Sequence, residues 1–193
     1  MNSFQKYKQD VLGKLDKSAK GSIDKRILDL CDAINALDEA VTLSSCSGRI
    51  CLLELAGRAN KKDSKWIYCT HDRGELEECS RILTAYDGKQ IVYFKQECAI
   101  LHVCLSSVSL SLSFLRIAKE SGFNRCHILS LRPDGSAVIE LICSLALSVP
   151  VFDGTCLIPG SYLSYLMKLA NERQEYSWLC LSKLILKLPQ LGS

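Results

Sequence analysis

Short apolar runs separated by polar turns constrain this chain more than any other feature of its sequence. Each run spans five to eight residues, which is typical of buried β-strands and short for a helix. Amphipathic segments with a helical period lie between groups of these runs. The pattern predicts an α+β fold of mixed strands and helices. The predicted strands cover residues 40–44, 49–56, 65–70, 89–95, 98–105, 126–131, 136–142 and 148–152.

The segments with helical periodicity predict six helices. Residues 106–120 are ambiguous, because SVSLSLSF alternates like a strand while Leu110, Phe114 and Ile117 share a helical face; we predict a helix. We predict a break between two strands near Gln96. Two runs of strands, each with a helix close by, leave a two-half duplication open. The predicted helices cover residues 3–18, 24–37, 75–85, 106–120, 159–174 and 175–187.

Composition excludes several classes of protein. Of the 193 residues, 48% are apolar and 23% charged, so the chain has enough apolar residues for a core and fits one domain over residues 1–193. The net charge of +3 comes without a basic tail, so any contact with RNA depends on Lys and Arg of a folded surface. No apolar run approaches the roughly 20 residues of a membrane-spanning helix.

The eleven cysteines predict a reduced protein rather than a disulfide or zinc framework. Their number is odd, and no two of them form a CxxC pair, so we expect no metal site. Most lie in apolar stretches, where cysteine behaves as a small hydrophobic residue. Residues 1–10 are polar and lack the apolar region of a signal peptide. We therefore predict a cytoplasmic protein.

The most informative segment is TLSSCSGRI at residues 42–50. Small hydroxyl residues surround a Gly and an Arg between two predicted strands. Such a loop is rich in hydrogen-bond donors and can hold a carboxylate or another anion, while Arg49 supplies a bidentate fork. Taken alone, a serine-rich turn with one surface arginine explains the segment equally well. The candidate ligand-binding residues of this segment are Ser44, Ser45, Ser47, Gly48 and Arg49.

Further short motifs surround this segment in a characteristic order. Together they span roughly residues 4–173, and their order and spacing resemble those of the tRNA wybutosine-synthesising protein 3 family. The SSCSGR block is the most specific of them. The others are KGSID at 20–24, Ile34-Asn35, Trp66 and His71 in WIYCTH, Glu97 and His102 in KQECAILHV, Gly122-Phe123 and Ala170-Asn171.

The resemblance implies a methyltransferase domain that uses S-adenosylmethionine. Its substrate would be the tricyclic 4-demethylwyosine-type guanosine derivative beside the anticodon of phenylalanine tRNA. The implied fold is not the Rossmann methyltransferase fold, and no GxGxG follows the first predicted strand. The chain departs from the family pattern twice. Cys98 follows Glu97 where the family has Pro, and Cys126-His127 replaces a Ser-Gly pair.

Methyl transfer from a sulfonium depends mainly on holding the nucleophile and the methyl carbon in line. A general base is needed only when the acceptor nitrogen carries a proton. His71 and His102 can serve near pH 7, and Asp24 can serve if burial raises its pKa. Hydrogen-bonded structural roles explain both histidines as well, and N-capping of the second helix explains Asp24. These three residues are the catalytic candidates.

Cofactor and substrate roles follow from the resemblance for a second group. Glu97 would accept hydrogen bonds from ribose hydroxyls or an ammonium group, unless it is an edge-strand charge facing water. Trp66 would stack on a base, although a lone Trp in a strand is more often core. Lys20 and Lys25 would contact tRNA phosphates, and solvated surface positions explain them equally well. The substrate-binding candidates are Ser22, Trp66, Lys20 and Lys25.

Two other functions stay open. A non-catalytic tRNA-binding relative would have drifted at Cys98, Cys126 and His127. A cysteine-dependent hydrolase would use Cys46 with one of the two candidate histidines as its base. Other enzymes of the wybutosine pathway are candidate partners under the first reading.

Overall fold

The computed structural model describes residues 3–13, 23–55, 64–143 and 145–191. Within these residues the chain forms five α-helices and eight β-strands, followed by a short 3-10 turn at Leu188–Gln190. The elements are α1 Ser3–Leu12, α2 Lys25–Ala36, β1 Ala40–Cys46, β2 Arg49–Leu55, β3 Lys65–Thr70, α3 Leu76–Ala85, β4 Ile91–Glu97, β5 Ile100–Leu105, α4 Val108–Glu120, β6 Arg125–Leu131, β7 Ala137–Ile142, β8 Leu147–Phe152 and α5 Gly160–Lys187.

The chain divides into two compact units, each with one four-stranded sheet. Unit 1 comprises Met1–Ser47, Ala99–Ser144 and Ser177–Ser193, and its sheet has the order β1-β5-β7-β6. Unit 2 comprises Gly48–Cys98 and Leu145–Tyr176, with the order β3-β2-β4-β8. All pairings are antiparallel, which confirms the α+β class and differs from the parallel Rossmann sheet. Each sheet takes strands from both halves of the chain, so the duplication stays a prediction.

In unit 1 the two faces of the sheet pack against different helices. Leu101, Val103 and Ile139 are fully buried on the face that α2 and α4 cover. On the opposite face, α1 packs Phe4 against Val41 and Cys104, which are paired in register. Alternation along each strand therefore buries both faces at this end of the sheet.

In unit 2 a single apolar cluster forms between the sheet, α3 and the first part of α5. Ile50 and Leu52 of β2 and Phe94 of β4 are fully buried in it, together with Met167 of α5. Helix α5 contributes residues up to Tyr176 to this unit and residues from Ser177 onward to unit 1. Of the described helices, none combines the length and the apolarity that a membrane crossing requires.

Most predicted elements are confirmed within a few residues, and three predictions need correction. The choice of helix for α4 is confirmed, and the side chain of Ser107 caps it by accepting from the Leu110 N–H. The strand break near Gln96 is wrong, because Gln96 lies inside β4 and the break falls at Cys98. The two helices predicted from residue 159 onward are one helix, α5. Helix α1 ends at Leu12, and residues 14–18 of its prediction lie outside the described residues.

All eleven cysteines lie among the described residues, and none of them forms a disulfide bond. Seven are buried, which confirms that most act as small hydrophobic residues. Burial raises the pKa of the Cys51 and Cys79 thiols to about 12, so both stay protonated at neutral pH.

Candidate functional site

In unit 2, an ion-pair cluster joins the start of β2 to the end of β4. Arg49 and Glu97 are partners in the register of these strands. The Arg49 Nε donates to Glu97 Oε2 at 2.5 Å, and Lys95 Nζ donates to Glu97 Oε1 at 2.6 Å. Because β4 lies between β2 and β8, the reading of Glu97 as an edge-strand charge is wrong.

The electrostatics of this cluster keep Glu97 ionised. Burial alone would raise its pKa, but hydrogen bonds and charges from Lys95 and Arg49 hold the pKa below its ordinary value of 4.5. The cluster therefore carries two cations and one carboxylate at neutral pH. Lys95 was missed from the sequence. Its position two residues before Glu97, on the same face of a strand, is the signal that points to it.

Trp66 of β3 flanks the cluster. Its side chain is 47% exposed, so the reading of this Trp as a core residue is wrong. The Arg49 guanidinium lies 4.3 Å from the centre of the Trp66 ring, within the range of a cation–π contact. The contact orients both groups, and the stacking role of Trp66 stays a prediction.

Gly48 adopts a backbone conformation that requires glycine. Its φ of +94° lies in the left-handed region, and a Cβ there would come within 2.9 Å of Gln174 Oε1 and of the Glu97 carbonyl oxygen. The Gly48 carbonyl oxygen lies 3.0 Å from His71 Nδ1. Because a carbonyl only accepts, His71 Nδ1 carries the hydrogen of this bond. His71 therefore has a structural partner, and its catalytic role stays a prediction.

Two buried glutamines beside Gly48 were also missed. Gln96 Nε2 donates to Gln174 Oε1 at 3.4 Å. Among the described atoms, Gln96 Oε1 and Gln174 Nε2 are buried and have no hydrogen-bond partner. A buried unpaired group costs about 1–3 kcal/mol, so these two atoms are candidates to contact a ligand. Gln174 lies in a polar stretch that suggests a helix surface, and no local pattern marks it as buried.

Asn171 stabilises the turn that follows β3. Its Oδ1 accepts from the Gly74 N–H at 2.7 Å, and its Nδ2 donates to the Gly74 carbonyl at 3.1 Å. The Ala170-Asn171 motif thus has a structural role within unit 2, since it ties the turn after His71 to α5.

In unit 1, the side chain of Asp24 accepts hydrogen bonds from Ser47, the residue before Gly48. Asp24 is the N-cap residue of α2, but its side chain makes no capping hydrogen bond, so side-chain capping does not explain it. Its Oδ2 instead accepts from the Ser47 N–H at 3.0 Å and from Ser47 Oγ at 3.2 Å. Lys25 is exposed in the first turn of α2. Lys20 and Ser22 lie outside the described residues.

The predicted serine-rich loop is mostly strand. Strand β1 continues through Cys46, so only Ser47 and Gly48 link it to β2. Ser44 and Ser45 are consecutive in β1 and point to opposite faces of the sheet. Ser45 lies beside the thiol of Cys31, whose pKa burial raises although the Ser45 hydrogen bond opposes the shift. Ser44 and Ser45 therefore cannot both contact a ligand that is bound on one face of the sheet.

Ser44 instead belongs to a polar network on the other face. Its Oγ lies 2.7 Å from His102 Nδ1, and His102 Nε2 lies 2.8 Å from Glu140 Oε2. His127 Nε2 lies 3.7 Å from Glu140 Oε1. His102 thus has a partner at each ring nitrogen, and a role for it as the base of Cys46 stays a prediction. Glu140 was missed, although an acid inside the apolar run 137–149 is a signal.

Comparison with known proteins identifies the class. The family model of Methyltransferase TYW3 matches residues 6–189, and the chain belongs to this family. The resemblance drawn from the SSCSGR block is thereby confirmed, and the protein is a transferase that requires a methyl donor.

The relatives agree with this assignment. The chain is 30% identical over 172 residues to the tRNA(Phe) 7-((3-amino-3-carboxypropyl)-4-demethylwyosine(37)-N(4))-methyltransferase of Archaeoglobus fulgidus, covering 88% of this chain and 85% of that protein. It is 31% identical over 178 residues to the tRNA wybutosine-synthesizing protein 3 homolog of Danio rerio, covering 90% and 70%. The PH1069 protein from Pyrococcus horikoshii shares the fold, with a TM-score of 0.88, 24% identity and coverage of 98% and 95%.

Proposed function

We propose that this protein transfers a methyl group from S-adenosylmethionine to N4 of 7-(3-amino-3-carboxypropyl)-4-demethylwyosine. This tricyclic guanosine derivative stands at position 37, beside the anticodon of phenylalanine tRNA, and the step belongs to wybutosine biosynthesis. The relative in Archaeoglobus fulgidus bears the name of this reaction. The observation that carries the proposal is the cluster of Arg49, Lys95 and Glu97 beside Trp66, at the family's SSCSGR motif.

The residues of unit 2 fit the cofactor chemically. S-adenosylmethionine presents a carboxylate, an ammonium group, ribose hydroxyls and an adenine. Arg49 and Lys95 suit the carboxylate, Glu97 suits the ammonium or the hydroxyls, and Trp66 offers a face for stacking on a base. The buried unpaired atoms of Gln96 and Gln174 beside Gly48 add one acceptor and one donor. Cofactor roles for Ser44, Ser45 and Ser47 stay predictions.

For methyl transfer, the protein needs to do little more than orient the acceptor nitrogen and the methyl group and remove a proton. When bound, the cofactor supplies an electrophilic methyl carbon. The acceptor nitrogen must be held in line with it, and its proton must leave if it carries one. We assign Asp24 to orientation of the target base and His102 or His71 to proton removal. The geometry of His102 favours it, since Glu140 and Ser44 hold its ring from two sides.

We further propose that residues 1–193 act as one methyltransferase domain in the cytoplasm. The continuous family match over residues 6–189 supports the first part, and eleven cysteines without a disulfide bond support the second. We assign Ser22, Lys20 and Lys25 to the tRNA. Contacts with phosphates make binding salt-dependent, so tRNA affinity should fall as the salt concentration rises.

The test is a methyl-transfer assay with the purified chain of 193 residues. The protein is incubated with radiolabelled S-adenosylmethionine and phenylalanine tRNA that carries the demethylated tricyclic base, and the nucleosides are then analysed by mass spectrometry. We expect one methyl group on the tricyclic base and none on a matched tRNA with unmodified guanosine at position 37. Folded protein that binds the tRNA but transfers no methyl group would instead indicate the non-catalytic relative.

A further inference from the structure

A row of four polar side chains crosses the sheet of unit 1 from edge to edge. Ser44 of β1 is paired with His102 of β5, His102 with Glu140 of β7, and Glu140 with His127 of β6. Directly paired residues of neighbouring strands point to the same face. The distances of 2.7, 2.8 and 3.7 Å between successive polar atoms join the four into one chain.

The chemistry of Glu140 and Ser44 sets the direction of the two hydrogen bonds that they make with His102. An ionised carboxylate only accepts, so His102 Nε2 carries the hydrogen that bonds to Glu140. In a neutral ring Nδ1 is then the acceptor, and the Ser44 hydroxyl donates to it. The basic Nδ1 of His102 therefore accepts from the exposed Ser44 hydroxyl. The Glu140 carboxylate, at the other ring nitrogen, can stabilise a positive charge on the ring.

The surroundings of the row explain why it is ordered. His102 and Glu140 are only 22% and 18% exposed, and a partly buried carboxylate is costly unless it is hydrogen-bonded. Helix α1 covers the adjacent row on this face, which includes Val41 and Cys104. The titratable groups on the same face as His102 at neighbouring sheet positions are Cys104 on its own strand, Cys46 on β1 and Arg125 on β6. Tyr7 of α1 and Arg132 contact each other at the Cys104 row.

We propose that Glu140 is the positioning residue of a proton relay formed by Ser44 and His102. This rests on the proposed function. As the bond from N4 to the methyl carbon forms, the electron pair of the broken carbon–sulfur bond stays on sulfur. The proton that leaves N4 passes to Ser44 Oγ while the hydroxyl proton of Ser44 moves to His102 Nδ1. Glu140 then stabilises the imidazolium until it releases the proton to water.

The first test does not depend on enzyme activity. The chain has three histidines, so the ring nitrogens are readily assigned by nitrogen-15 NMR after His71 and His127 are each replaced by Gln. We expect neutral His102 to carry its hydrogen on Nε2. A neutral His102 ring with its hydrogen on Nδ1 overturns the relay, even if the protein proves not to methylate tRNA.

The second test separates positioning from packing. Glu140→Gln should lower kcat at least about tenfold, with the KM for tRNA changed by less than about twofold. It should also move the acid limb of the pH–rate profile to lower pH, because the neutral amide no longer stabilises a protonated ring. Glu140→Asp should recover part of kcat, and it replaces Glu140→Gln if that variant does not fold.

A matched control is Glu120→Gln, which removes the same charge from an exposed position in unit 1, where Glu120 pairs with Lys187. It should leave kcat and the profile unchanged. An active wild-type enzyme whose Glu140→Gln variant keeps the same kcat and the same acid limb overturns the proposal. A fall in kcat with no shift of the acid limb overturns it as well, because that result indicates packing alone.

Discussion

The two units carry polar clusters of opposite character. In unit 1, Ser44, His102 and Glu140 form a hydrogen-bonded row with the histidine at its centre. In unit 2, Arg49, Lys95 and Glu97 form an ion-pair cluster, in which hydrogen bonds and charges from Lys95 and Arg49 lower the pKa of Glu97. The proposed proton relay belongs to the first cluster, and the proposed cofactor contacts belong to the second.

The largest effect should come from removing the base. His102→Asn keeps a polar side chain but removes the proposed base, so kcat should fall about 10²–10⁴-fold. The dissociation constant for S-adenosylmethionine should change by less than about twofold. Steady-state kinetics and calorimetry measure the two quantities. A larger loss of kcat for His71→Asn would move the base to unit 2.

The next largest effect should come from substitution of Gly48, the first residue of unit 2. Gly48→Ala places a side chain at positive φ and against Gln174, which should lower the free energy of unfolding by about 2–5 kcal/mol. Gly135 of unit 1 is a matched control, because its φ is +84° and nothing lies near its Cβ position. Gly135→Ala should cost only about 1–2 kcal/mol. Equal losses in urea denaturation would contradict the close packing of Gly48.

Removal of the arginine should weaken cofactor binding without a comparable loss of stability. Arg49→Ala removes the guanidinium from the unit 2 cluster, so affinity for S-adenosylmethionine should fall about a hundredfold, or about 2.7 kcal/mol. Arg73→Ala is the control, because Arg73 pairs with Glu175 at a more exposed position of the same unit. Calorimetry should show unchanged affinity for Arg73→Ala. Asp24→Ala should still bind cofactor, and loss of that binding would assign Asp24 to the cofactor.

The smallest effect is the acid dependence of stability. The lowered pKa of Glu97 means that its ionised form stabilises the folded state. That contribution is complete above the ordinary value of 4.5 and is lost as the pH falls through the lowered value. Because Glu97 is partly exposed, Glu97→Gln should cost about 1 kcal/mol or less at neutral pH. The free energies of unfolding of both proteins should converge as the pH falls through the lowered pKa of Glu97, and a constant difference would refute the assignment.

Sequence patterns predicted the elements and several residues of both clusters, but not which side chains those residues contact. Arg49 and Glu97 were candidates, and their mutual ion pair was not foreseen. His102 was a candidate, whereas its partner Glu140 lies 38 residues away and was not. Two helices, 159–174 and 175–187, were predicted, yet the structure has one continuous helix, α5, and Gln174 is buried within it.

The amino-acid sequence by itself determined the local elements, because hydrophobic period and turn residues act over a few neighbouring positions. It also determined the family, through the SSCSGR block and the order of the other motifs. Tertiary structure decided which strands pair. Only Ser47 and Gly48 separate β1 from β2, yet β1 pairs with β5, and β2 pairs with β3 and β4. Register between distant strands depends on the packing of both sheet faces at once, which no local pattern records.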